Sequence, residues 1–153
     1  MATPIQRTYC GFNQTGESFV GLNIRRADTP LAKLRALFGQ FRMKSGEGMW
    51  IVPSRGLHAM AFLTPVDVIY LDAQHRVIHL VEHLTPFRVA PIRLKSSSVL
   101  VLPPHTIYSS QTHLGDQFLV CPPEEMETYL KNTVPALSKF ETKGKGADRG
   151  DSA

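Results

Sequence analysis

His58 and Asp67 are the pair whose types and spacing could do acid–base chemistry in this chain. They stand nine residues apart in the segment GLHAMAFLTPVDVIYLD. Pro65 bends the chain between them, and an Asp that orients a His is half of a hydrolytic triad. The nucleophile is missing: Cys10, Cys121 and Ser54 sit in no recognisable nucleophile motif, and no G-x-S-x-G is present. The competing interpretation is a buried polar pair, His58 bonded to Asp67 and locking a loop against a strand. Buried polar groups find partners, and the sequence favours this second interpretation.

Other constellations are weaker. His75, His79 and His83 are spaced by four, which on a helix would gather three imidazoles on one face. Val77, Ile78 and Val81 make the segment a strand instead, where residues four apart lie ~13 Å apart. Zinc needs its ligand nitrogens about 2.0–2.1 Å from the ion, so adjacent members of the set cannot share one metal. Neither a metal nor a cofactor set is expected. The basic loop Lys44-Ser45-Gly46-Glu47-Gly48 has neither P-loop nor Rossmann spacing. Arg35 is expected on a helix, solvated unless it is buried against Asp67 or Asp116. Trp50, the single tryptophan, lies in a short apolar strand and reads as core before ligand platform.

Composition sets the bounds. The chain has 153 residues, 42% hydrophobic and 20% charged, with a formal charge of +4. That suits one soluble globular domain. Seven cations (Arg25, Arg26, Lys33, Arg35, Arg42, Lys44, Arg55) crowd a stretch holding only Asp28 and Glu47. Such a face can attract an anionic partner, but no nucleic-acid recognition motif accompanies it. The N-terminus has no apolar leader, and no apolar run approaches the ~20 residues of a membrane span. A soluble, cytoplasmic protein is expected. Cys10 and Cys121 have no metal spacing and read as buried thiols in strands. A disulfide requires the first and last strands to be neighbours.

The elements that would position these groups are mostly strands. Ile5–Cys10 and Ser18–Ile24 flank the turn Asn13-Gln14-Thr15-Gly16 and form a hairpin. Pro30 begins a helix carrying Leu31, Leu34, Leu37 and Phe38, stopped by Gly39. Strands follow at Met49–Val52, Val66–Leu71, Arg76–Leu84, Val99–Leu102 and Gln117–Cys121, with a turn at Asp72–His75. Pro122-Pro123 opens a short helix from Glu124 to Lys131, its early acids matched to the positive helix end. The fold class is mainly β: a single barrel- or sandwich-like domain over residues 1–137 with one or two short helices. Residues 138–153 are too polar to bury and are expected to form a disordered tail.

In order, these residues resemble a family known as domain of unknown function 192. The resemblance covers roughly residues 20–121. It rests on Ala27-Asp28-Thr29 with Arg35, Leu37, Phe38 and Gly39; on Gly48-Met49-Trp50-Ile51-Val52-Pro53; on Leu57-His58, Pro65-Val66-Asp67 and Leu71-Asp72; and on Leu102-Pro103 and Gly115-Asp116. His75 and His105 stand where the family usually has Gly, Val101 where it has Glu, and Phe62 where it has Met. The resemblance implies a β-barrel-like domain and no known reaction or cofactor. It also implies an association of some relatives with pilus or secretion genes.

The functional expectation is a non-enzymatic binding or accessory module. Arg35, Trp50, His58, Asp67 and Asp116 would contact a protein partner or a small polar ligand. The alternatives are a hydrolase-like enzyme using His58 and Asp67, and an assembly component docking through the basic face.

Overall fold

Short runs of β-branched and aromatic residues between turn signals produce seven strands. The structure is a computed structural model that describes residues 7–27, 44–55, 64–86 and 88–133. The strands are β1 (Thr8–Asn13), β2 (Ser18–Ala27), β3 (Glu47–Ile51), β4 (Val66–Leu71), β5 (Val77–Leu84), β6 (Ser98–Leu102) and β7 (Phe118–Cys121). Two helices are described, α1 (Thr106–Ser109) and α2 (Pro123–Thr133). Each strand expected from sequence is present with ends shifted by a few residues. The four-residue α1 has no counterpart among the expected elements. The expected helix after Pro30, the loop bearing His58, and residues 138–153 lie outside the described residues.

The strands form one sheet in the order β5-β4-β6-β3-β2-β1-β7. Neighbours are antiparallel except β2 and β3, which run parallel. The sheet curls into a half-barrel. Its two edge strands meet at one end, where Arg76 bridges to Gln117. There Val77 N–H donates to Asp116 O and Phe118 N–H to His75 O, each at 2.9 Å.

The central strands β4 and β6 are buried along their whole length. This explains their continuous apolar runs, since both faces of the sheet are covered there. One face gathers Ile24, Trp50, Ile69, Leu71, Leu100 and Phe118. The opposite face gathers Met49, Val68, Tyr70, Val99 and Val101. Tyr70 Oη donates to Pro91 O at 2.6 Å and so holds the segment between β5 and β6 over that second face. A third cluster joins Cys10, Phe12 and Cys121 to Met126 of α2.

Register irregularities in the β1–β2 and β4–β5 ladders shape the sheet. At Leu22–Asn23 both amides donate to Gly46 O, each at 2.9 Å. In the β4–β5 ladder, Val66 pairs with Leu84 but Val68 pairs with Val81. Two residues of β5, Glu82 and His83, therefore oppose the single Asp67. His83 absorbs this bulge with a φ of 54°.

Candidate functional site

A bulge leaves backbone amides without ladder partners, and β4 supplies the acceptor from a side chain. Asp67 is 1% exposed. Its Oδ1 accepts the His83 N–H at 2.9 Å, and its Oδ2 accepts the Ile107 N–H at 2.9 Å. The second bond lies in the first turn of α1. The N-cap residue just before that helix is His105, which is left-handed at φ 70° and makes no capping hydrogen bond with its own side chain. Asp67 thus supplies from a neighbouring strand the oxygen that an N-cap residue normally supplies locally. An ionised carboxylate accepting backbone N–H groups makes strong, charge-assisted bonds.

Asp67 forms the floor of a cleft of about 220 Å³ whose other walls are Glu82, His83, His105 and Tyr108. All four wall residues are exposed. The rings of His83 and His105 lie 5.9 Å apart at 35°. Edge strand β5 bounds one side of the cleft and α1 the other. An adjoining groove of about 420 Å³ shares Glu82 and Tyr108 and continues to Leu80, Gln111 and His113. The cleft is lined by two carboxylates, two imidazoles and a phenol. No serine, threonine or cysteine lines it among the described residues.

The residues singled out by sequence separate in space. His58 and Arg35 lie outside the described residues, so the described partners of Asp67 are backbone amides. Trp50 is buried in the core, edge-on to His75 at 5.6 Å and to Tyr9 at 5.6 Å. The Arg26 guanidinium lies 5.0 Å from its ring centre. Burial lowers the pKa of His75 more than neighbouring Asp72 raises it. Of the basic stretch, Arg25, Arg26, Lys44 and Arg55 are described, and all are exposed. His79 and His83 both lie on β5 and His75 in the turn before it. No cluster of three metal-ligating side chains occurs among the described residues.

Asp116 belongs to a second buried network. Its Oδ2 accepts from Asn13 Nδ2 and from the His113 N–H, both at 2.8 Å. Asn13 Oδ1 in turn accepts the Gly16 N–H at 2.9 Å. This network ties the β1–β2 hairpin turn to the loop before β7, and among the described residues it shares no direct hydrogen-bond partner with Asp67.

Sequence reasoning missed His83 and His105 as neighbours of Asp67. A signal existed at His105 in the family resemblance, which implies Gly at its position and at that of His75. Both have positive φ, 70° and 61°, where Gly has no steric cost and other residues do. Val101, where the resemblance implies Glu, is fully buried in β6.

No curated protein matches the chain. Among solved structures, a protein of unknown function from Novosphingobium aromaticivorans superposes with a TM-score of 0.63 at 15% identity, over 78% of this chain and 91% of that one. A Sinorhizobium meliloti protein, described as a candidate transcription regulator, gives a TM-score of 0.63 at 16% identity, over 78% and 97%. At these identities the likeness is one of fold. The family model for domain of unknown function 192, described as an uncharacterised ACR, matches residues 12–120. With that match spanning most of its length, and with the curled sheet around Asp67, the chain belongs to the domain of unknown function 192 family.

Proposed function

We propose that the protein is a non-enzymatic binding module whose site is the cleft above Asp67. The observation that carries this reading is the Asp67 carboxylate itself. Both of its oxygens are committed to backbone amides, at 2.9 Å each, so it builds the site instead of serving as a free base. The groups left to meet a ligand are Glu82, His83, His105 and Tyr108. A cleft of about 220 Å³ is smaller than the ~300–1,000 Å³ of sites for drug-sized ligands. It suits a small polar ligand or one polar side chain of a protein partner. In the second case the adjoining groove would take the flanking residues. Glu82 at the rim favours a ligand bearing a cation or a hydrogen-bond donor.

The test is a titration of isotope-labelled protein with small-metabolite and peptide pools, read by amide shifts. Shifts confined to Glu82, His83, His105 and Tyr108, lost in Glu82→Gln and Tyr108→Ala, support the reading. Both side chains are exposed, so these variants should keep the wild-type melting temperature. Binding that persists in both variants, or silence across all pools together with an empty pull-down, overturns it.

A further inference from the structure

Cys10 and Cys121 are direct partners in the antiparallel ladder between β1 and β7. They share the face covered by α2, packed with Phe12 and Met126. Gln14 N–H donates to Gln117 O at 2.8 Å, which marks that pair as hydrogen-bonded. Antiparallel pairs alternate in type along the strand, so the Phe12/Leu119 and Cys10/Cys121 pairs are of the same type. Such pairs have Cα atoms about 5.5 Å apart, inside the ~4.4–6.8 Å that disulfides span. Both side chains of a directly opposed pair leave the sheet on the same side. The thiols are free in the structure, and Cys10 Sγ rests 3.7 Å from Leu22 O.

We propose that Cys10 and Cys121 form an intramolecular disulfide that staples β1 to β7 when the chain folds with a small disulfide oxidant, such as oxidised glutathione. One cysteine thiolate attacks a glutathione sulfur, forming a mixed disulfide and releasing one glutathione, which takes up the proton. The second cysteine thiolate attacks the protein sulfur of that mixed disulfide, and the second glutathione leaves with the second proton. The protein loses two electrons and two protons, and the oxidant becomes two thiols. The reaction belongs to the folding chain. In the native state both thiols are buried; burial raises the Cys10 thiol, and raises Cys121 to about 11 with smaller contributions from Glu125, Cys10 and Glu124. Thiolate, the attacking form, is therefore scarce once β7 and α2 have docked.

The experiment refolds the full chain from urea in a series of reduced and oxidised glutathione mixtures. Free thiols are then alkylated under denaturing conditions and the protein is weighed by mass spectrometry. In oxidising mixtures the expected product is an unalkylated monomer, lighter than the reduced chain by two hydrogen atoms. Proteolysis should give a peptide pair joining Cys10 to Cys121. Its melting temperature should exceed that of the reduced chain by on the order of 10 °C, because the bond closes a long loop. A reductant should remove the gain. Two alkylated thiols at every mixture, glutathione adducts or linked dimers as the main product, or a lower melting temperature in the bridged chain each overturn the proposal. The mass readout uses the wild-type chain, so it stands even where Cys10→Ser fails to fold.

Discussion

Asp67 caps Ile107 across forty residues of chain: its Oδ2 accepts the Ile107 N–H at 2.9 Å while its Oδ1 holds the bulged His83 amide at 2.9 Å. One carboxylate therefore fixes both walls of the cleft. Asp67→Ala leaves two amides without acceptors, one of them buried in α1. A buried donor without a partner costs about 1–3 kcal/mol, so the variant should lose about 3 kcal/mol in urea unfolding. Asp67→Asn keeps one acceptor oxygen but turns an amide donor toward the other N–H, and should fall between. Hydrogen exchange should quicken first at Ile107 and His83. Unchanged exchange at both amides would show that the caps contribute nothing.

The same carboxylate shows what the sequence could and could not reveal. An Asp inside Val-Asp-Val-Ile-Tyr-Leu is conspicuous by type, so its importance was legible. Its described partners are main-chain amides, which every residue but proline carries, so no pattern of side chains points to them. Strands β4 and β6 were legible because each is a largely apolar run stopped by a turn or by proline. Helix α1 was not. Thr106, Ile107, Tyr108 and Ser109 are poor helix formers, and the oxygen that starts the helix comes from another strand. His83 and His105 meet only because β5 bulges opposite Asp67, a register detail that no local signal carries. The opposition of Cys10 and Cys121 likewise depends on β7 returning beside β1, at the far end of the sheet order.

His105 separates stability from binding. It sits at φ 70° at the head of α1 and also lines the cleft. His105→Gly removes the steric cost of the left-handed conformation, roughly 1 kcal/mol, against some gain in unfolded-state freedom. The variant should match or exceed wild-type stability while losing ligand-induced shifts at Tyr108 and Glu82. His105→Ala keeps the strained backbone and should be less stable than His105→Gly. The reverse order, read from urea midpoints, would remove the conformational argument.

One half-buried ring, His75, and one buried ring, Tyr70, set the pH limits of the fold. Burial holds His75 below its ordinary value of 6.5, so the folded state prefers the neutral ring. Its contribution is complete above the unfolded value and is lost as pH falls below 6.5 through the folded value. Tyr70, wholly buried, is pushed from 10.0 up to about 12 by burial, with Arg93 opposing. Here the folded state prefers the neutral phenol. That contribution, about 2–3 kcal/mol at one pKa unit per 1.36 kcal/mol, is complete below pH 10 and lost between 10 and 12. Cys121, raised to about 11, adds to the same alkaline limb. Urea midpoints across pH should therefore fall on both sides, and Tyr70→Phe should flatten the alkaline fall only in part. A flat alkaline limb in the wild type would contradict the burial of both groups.

The network of Asn13 and Asp116 should behave independently of Asp67. Asn13 is fully buried, and its Nδ2 donates to Asp116 Oδ2 at 2.8 Å. Asn13→Ala strips the carboxylate of one donor and leaves the Gly16 amide, which Asn13 Oδ1 accepts, without its partner. The expected loss is about 2 kcal/mol, since each unsatisfied group costs about 1–3 kcal/mol. Residues in one hydrogen-bond network couple by about 0.5–3 kcal/mol in double-mutant cycles, whereas sites without shared partners add within about 0.3–0.5 kcal/mol. The cycle Asn13→Ala with Asp116→Ala should show coupling in the first range. The cycle Asn13→Ala with Asp67→Ala should show additivity. Strong coupling in the second cycle would mean that the hairpin turn and the cleft share one cooperative unit. Ligand binding at α1 would then be felt at the closure between Arg76 and Gln117.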